Sequence, residues 1–242
     1  NPVVLMHFVA GAHNDALMVG LVVTGLALAA ERHCSWGAVA ITLASTIKPI
    51  ALLALPFSGL LWAGRDATWL RRIRAWLLTG VVMICTLASV FLIADAGTGV
   101  IKATFGTPSG VLTWLSPTTA IGKPLGVVST WIGWTDDPAT VLGIVRLIGI
   151  AAALALIALL VFRPGGRSPV RGAALALGVI VVLGPVVQPW YLLWFLPLFA
   201  ATGLSVREMR IAVILTAAFT VHGMIESSTN ADNLTDIADS LT

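Results

Sequence analysis

The chain alternates long apolar runs with short polar punctuation, and the lengths of the runs predict membrane-spanning helices. Residues 16–30, 36–63, 76–94, 139–162, 172–187, 190–202 and 211–225 are almost wholly apolar. A helix needs about 20 apolar residues to cross the hydrocarbon core of a bilayer. Residues 36–64 hold the most informative interruption, because Lys48-Pro49 lies at the centre of that run. A lysine at mid-span costs about 3 kcal/mol on insertion scales. Proline removes a backbone donor and clashes with the preceding turn. The pattern predicts two short helices meeting at Lys48-Pro49, with the junction at a membrane face or on a wet cavity, where irregular backbone is tolerated. One long tilted span with Lys48 buried in it is the competing arrangement. GPVVQPW, residues 184–190, predicts a second break, between the runs 172–187 and 190–202.

The polar punctuation orients these helices. Arginines cluster in GRDATWLRRIRA (Arg65, Arg71, Arg72, Arg74), in RPGGRSPVR (Arg163, Arg167, Arg171) and in SVREMR (Arg207, Arg210), with Arg32 in the short ERHCS link. Cationic loops stay on the cytoplasmic side, so the crossings between them are even in number. Residues 16–30 then run inward, 36–47 outward and 49–63 back. Residues 76–94 run outward, 139–162 inward, 172–187 outward, 190–202 inward and 211–225 outward. Both proline breaks fall on the outer side. Residues 95–138 form a long external loop whose Gly, Thr, Ser and Pro breakers and aromatics (Phe105, Trp114, Trp131, Trp134) fit an interfacial segment.

Composition agrees with this reading and narrows it. The hydrophobic fraction is 58% and the charged fraction 10%, against about 25% charged in soluble domains. Mean hydropathy is +0.97. The expected fold is an all-α polytopic transmembrane bundle with short broken helices at the outer face. Residues 1–225 form the bundle, and residues 226–242 form a polar extracytoplasmic tail. The net charge of +3 and a pI near 9.3 do not point to nucleic acid, because the basic residues sit between spans. Cys34 and Cys85 are isolated, so neither a disulfide framework nor a metal site is expected. The chain begins at Asn1-Pro2 and reads as the C-terminal part of something longer.

Four places could carry chemistry. In HFVAGAHNDALM, Asn14 or Asp15 is a natural N-cap for the first span, but His7, His13 and Asp15 together at a membrane boundary exceed what a cap needs. His13 and Asp15 are therefore candidate catalytic groups, with Asn14 beside them for substrate binding. Lys48 either snorkels to the headgroups or offers a point charge to a lipid-linked phosphate. In GPVVQPWYLLW, residues 184–194, two prolines bracket Gln188, whose amide both donates and accepts as sugar hydroxyls require. Trp190 and Tyr191 offer flat faces to sugar rings or prenyl chains, although an aromatic belt would also place them there. Arg146, inside a span, either pairs with Asp136 or Asp137 or contacts a phosphate. His222 and Glu226 flank Gly223 near the last outer boundary. Asn233-Leu234-Thr235 matches a glycosylation sequon. A P-loop, a GxGxxG turn, zinc spacing and a GxSxG elbow are all absent from the sequence.

The ordered set GAHNDALMVG, LASTIKPIALLALPF and GPVVQPWYLLWFLPL resembles the polyprenol-phosphate-mannose-dependent α-(1→6)-mannosyltransferases of actinobacteria, which are GT-C-fold glycosyltransferases. The resemblance implies a multi-pass enzyme of the cell membrane with its active site on the extracytoplasmic face. The donor would be polyprenyl phosphate mannose and the acceptor a lipid-anchored mannan of the lipomannan and lipoarabinomannan type. No cofactor or metal is implied. GT-C enzymes carry an essential aspartate in the first external loop. That stretch is not in this sequence, so the main base is expected N-terminal to it. Lys48 and Arg146 suit the stabilisation of a leaving phosphate. A transporter or flippase for lipid-linked sugars is the alternative, since broken helices also build transporter sites.

Overall fold

A computed structural model describes residues 1–11, 13–95 and 115–240, with residues 226–240 as backbone alone. Lys102, Phe105 and Trp114 lie outside the described residues, as do the side chains of Glu226 and of the sequon. A π-helical segment, Val4–Ala10, precedes α1 (Asp15–Ala30) and α2 (Cys34–Ile47). A 3-10 turn, Pro49–Ala54, leads into α3 (Leu55–Ala63), followed by α4 (Trp69–Ile93). Beyond residue 115 come α5 (Pro117–Trp131), α6 (Pro138–Phe162) and α7 (Pro169–Leu183). A second 3-10 turn, Pro189–Tyr191, leads into α8 (Leu192–Ala201), and α9 runs Val206–Ser240. No strand occurs among the described residues. Trp69–Ile93, Pro138–Phe162 and Val206–Ile225 are long and apolar enough to cross a membrane. The protein is an all-α polytopic membrane protein.

Local sequence explains where the helices begin. Ser116-Pro117, Asp137-Pro138 and Ser168-Pro169 each set a capping side chain before a proline at the first helical position. Ser116 accepts from Thr119 N–H, Asp137 from Ala139 N–H and Ser168 from Arg171 N–H. Such side chains satisfy amides that the helix leaves without partners, and the missing proline N–H costs nothing there.

The chain reverses at Lys48, as expected from the charge and proline at mid-run. Lys48 is extended (φ −145°, ψ 121°), because the following proline disfavours helical geometry in the residue before it. Gly25 packs on Gly37 and Ile41, and Gly37 packs on Ala29, so α1 and α2 are antiparallel. At one end of this pair Lys48 meets Asp15. At the other, Arg32 shares a cavity with Gly64 and Arg65, the end of α3. Residues 36–47 and 49–63 therefore run in opposite senses, and the single tilted span does not form. The second break repeats the plan. Gln188 is extended (φ −112°, ψ 151°), and α8 folds back along α7, with Gly178 on Phe195 and Arg171 on Thr202.

All four cationic loops lie at one end. Arg32, Arg65, Arg72 and Arg167 line one cavity, and the Arg171–Glu208 ion pair ties the start of α9 to them. The breaks lie towards the other end but are recessed. Gly149, near the middle of α6, abuts Thr118 and Leu183. Sixteen residues of α1 separate the Arg32 link from Asp15, about 24 Å of helix, short of the ~30 Å core. The breaks thus lie short of the end of the long helices that is opposite the arginine loops.

Two segments carry helix that the sequence reading did not predict. The segment read as an external loop contains α5, which packs on α6 through Gly122 against Leu142 and Gly126 against Pro138. Tertiary packing of small residues outweighs the poor helix propensity of its Gly, Thr and Pro124. The segment read as a tail from residue 226 continues α9 as backbone helix to Ser240.

The core runs through α1, α2, α3, α7 and α8, with Phe57, Met18, Leu26, Ile41 and Leu177 buried. Leu77, Val81, Ile84 and Leu92 on α4 are exposed, as apolar side chains of a membrane helix can be. A Cβ on Gly37 would lie 2.5 Å from the Gly25 carbonyl oxygen. Gly37→Ala is therefore expected to lower stability by about 1–3 kcal/mol, the usual cost of overpacking, measured as thermal unfolding of the purified protein in detergent.

Candidate functional site

The two breaks bring most of the sequence candidates together. Asp15, at the start of α1, is fully buried. Its Oδ2 meets Lys48 Nζ at 2.8 Å, and its Oδ1 accepts from Trp194 Nε1 at 2.7 Å. Both oxygens of a buried carboxylate are thus engaged, which such burial requires. The Lys48 ammonium lies 5.4 Å from the ring centroids of both Tyr191 and Trp194, within cation–π range. Those rings stack at 3.8 Å. The Lys48 side chain keeps 27% exposure, so it does not snorkel free into headgroups. It is held by a carboxylate and two rings.

The histidines form the next layer. His13 Nδ1 lies 3.0 Å from the His7 carbonyl oxygen. A carbonyl only accepts, so Nδ1 is the donor of this contact, and Nε2 is the nitrogen left to accept in the tautomer that carries one proton. The two imidazoles meet edge to face at 5.7 Å, and Trp190 packs against both, with centroids 4.2 Å from His13 and 5.1 Å from His7. Its Nε1 is buried and makes no hydrogen bond among the described residues. Gly223 of α9, next to His222, abuts His7 and Pro189, and any Cβ there would collide with the imidazole.

Asn14 stands at the N-cap position of α1, but its side chain makes no cap hydrogen bond. Asp15 is not a cap either; its pairing with Lys48 and Trp194 takes both oxygens. Asn14 is exposed at the rim of the cluster. The Gln188 amide is half-buried and has no hydrogen-bond partner among the described residues.

Arg146 stands apart from this cluster. It donates to Thr119 Oγ1 from Nε at 3.2 Å and Nη2 at 2.9 Å. Asp137 is committed to the α6 N-terminus, and neither it nor Asp136 pairs with the arginine. Thr119 in turn donates to the Pro185 carbonyl at 2.9 Å, while Ser116 and Thr118 donate to the Gly184 carbonyl at 2.8 and 3.0 Å. These hydroxyls satisfy carbonyls that the end of α7 leaves open. Arg146 thus braces the start of the break whose far end carries Trp190 and Tyr191.

Residues 1–64 match the family described as alpha-(1->6)-mannopyranosyltransferase, N-terminal domain. Residues 118–233 match the MptB C-terminal domain. A probable alpha-(1->6)-mannopyranosyltransferase of Mycolicibacterium smegmatis is 34% identical, over 97% of this chain and 47% of the relative. The chain belongs to the alpha-(1->6)-mannopyranosyltransferase family. An alpha-(1->6)-mannopyranosyltransferase of Mycobacterium tuberculosis is 32% identical, over 96% of this chain and 48% of its own length. Alpha-(1->6)-mannopyranosyltransferase B of Corynebacterium glutamicum is 29% identical, over 80% and 36%. The chain spans about half the length, or less, of these curated relatives. No solved structure matches it.

Asp15 and Lys48 fall in the first segment matched to the mannopyranosyltransferase family, and Trp194 falls in the second. The Asp15–Trp194 hydrogen bond therefore joins the two. Sequence reasoning missed Trp194 and Thr119 as site residues. Trp194 stands one turn beyond Trp190 in a stretch that reads equally well as a belt, so its spacing gave no sign of a buried acceptor. Trp194→Phe keeps a ring to stack on Tyr191 but leaves Asp15 Oδ1 unsatisfied. It is expected to cost about 1–3 kcal/mol, read as a lower melting temperature in detergent.

Proposed function

We propose that this chain forms part of a GT-C-type membrane mannosyltransferase of the cell membrane. The enzyme moves mannose from polyprenyl phosphate mannose to a lipid-anchored mannan acceptor, of the lipomannan and lipoarabinomannan type, on the extracytoplasmic face. The observation that carries the reading is Lys48, an ammonium fixed by a buried carboxylate and two aromatic rings at a proline break, on a side chain that is 27% exposed. In the reaction, the acceptor hydroxyl oxygen forms a bond to the anomeric carbon of mannose. The bond from that carbon to the phosphate oxygen breaks, and its electron pair leaves with the phosphate. Lys48 stabilises that developing charge. Asp15 orients Lys48 rather than serving as base, because both its oxygens are occupied. His13 Nε2 is the basic group of the cluster suited to take the hydroxyl proton, together with whatever base the longer relatives carry elsewhere. The Gln188 amide, without a hydrogen-bond partner among the described residues, suits sugar hydroxyls, and the flat faces of Trp190 and Tyr191 suit the sugar ring or the prenyl chain. Asn14 extends that surface at the rim, and Arg146 positions the break.

The recessed depth of the breaks also suits a transporter for lipid-linked sugars, since transporter sites lie towards the midplane. Membranes containing the complete protein, given polyprenyl phosphate carrying labelled mannose and a mannan acceptor, decide between them. Labelled mannan is expected. Labelled lipid crossing the bilayer with its sugar still attached, and no labelled mannan, would overturn the transferase reading.

A further inference from the structure

The cavity at the arginine end, remote from the two breaks, has a composition that cation placement between spans does not explain. Its volume is about 500 Å³, within the range of small-molecule sites. Four of its lining residues are arginines drawn from three separate loops: Arg32 before α2, Arg65 and Arg72 around the start of α4, and Arg167 before α7. Sequence-local clustering would have gathered Arg71, Arg72 and Arg74, but only Arg72 of these lines the cavity. None of the four makes an ion pair among the described residues, and no carboxylate lines the cavity. Like charges brought together without a counter-charge repel, so their convergence costs energy unless something anionic joins them.

The backbone supports the same chemistry. Ser168 and Pro169, the N-terminus of α7, line the cavity, and a helix N-terminus favours an anion. Arg32 is held at φ 75°, in the left-handed region that non-glycine residues seldom occupy. The cavity is not purely polar, since Leu60 and Leu61 also line it. We propose that this cavity binds a phosphate-bearing ligand, with the arginines and the α7 N-terminus holding the phosphate and the leucines contacting an apolar portion. The phosphate can come from an anionic phospholipid headgroup or from a free phosphate, and guanidinium forks suit both.

The test compares two charge-matched variants of the purified protein in detergent. Arg65→Gln/Arg167→Gln removes two lining arginines, and Arg71→Gln/Arg74→Gln removes two from outside the cavity. Binding of phosphatidylglycerol, phosphatidylcholine and inorganic phosphate is measured by native mass spectrometry and thermal shift. The wild type is expected to bind phosphatidylglycerol at least tenfold more tightly than phosphatidylcholine. The cavity variant is expected to lose that preference and the outer variant to keep it. Inorganic phosphate that competes with the lipid assigns the site to phosphate as such, whereas phosphate without effect, alongside lipid binding, assigns it to a headgroup. Equal losses in both variants would overturn the proposal in favour of general surface charge, and so would equal binding of the two lipids. If Arg65→Gln/Arg167→Gln fails to fold, Arg167→Gln alone, set against Arg71→Gln, gives the same reading.

Discussion

Replacing Lys48 by methionine is expected to abolish mannosyl transfer and to lower stability by about 3–5 kcal/mol. The second effect follows from burial. Asp15 Oδ2 has Lys48 as its partner at 2.8 Å, and removing one member of a buried pair leaves an uncompensated charge. The two effects separate in a double variant. Asp15→Asn/Lys48→Met removes both charges, so no uncompensated charge stays buried, and the new amide oxygen can still accept from Trp194 Nε1. The double variant is therefore expected to melt close to the wild type while still failing to transfer mannose, because the ammonium that would face the leaving phosphate is gone. Thermal unfolding and transfer assayed on the same membranes decide the matter. A double variant that regains both stability and transfer would reduce Lys48 to a structural partner of Asp15.

The sequence made the breaks legible and left their partners dark. A lysine and a proline at the centre of an apolar run contradict a continuous span on two independent grounds, so Lys48-Pro49 could be placed without any tertiary knowledge. The same holds for Gln188-Pro189, and for the gathering of the arginine loops at one end. Pairing across the fold is a different matter. Asp15 resembles a cap because Asp residues usually sit near helix starts, and only the antiparallel packing of α1 on α2 shows that it faces Lys48. Arg146 had two aspartates nearby in sequence, yet it donates to a threonine on α5. The helix α5 itself was hidden, because Gly122, Gly126 and Pro124 read as breakers. In fact the glycines are where α6 comes closest, a use of small residues that propensity alone does not reveal.

The break at residues 184–191 should be the second most sensitive part of the molecule, and Gly149→Leu tests it from a distance. Gly149 contributes no side chain to any candidate chemistry. A Cβ there would meet Thr118 and stand 2.5 Å from the Leu183 carbonyl oxygen. That oxygen belongs to the backbone and cannot rotate away, so α6 must part from α5, from the end of α7, or from both. Either movement strains the hydroxyl contacts from Ser116, Thr118 and Thr119 to Gly184 and Pro185, and with them the brace from Arg146. Gln188, Trp190 and Tyr191 lie just downstream. Overpacking costs about 1–3 kcal/mol, occasionally more, and a displacement of about 1 Å can cost a catalytic site 10²-fold. Gly149→Leu is therefore expected to reduce transfer by about that factor in protein that still folds. Gly143 supplies the control on the same helix, since a Cβ there meets nothing within 4 Å, and Gly143→Leu is expected to transfer normally. If Gly149→Leu folds and transfers as well as Gly143→Leu, the position of the break does not govern the reaction, and the sugar-binding roles of Gln188 and Trp190 fall with it.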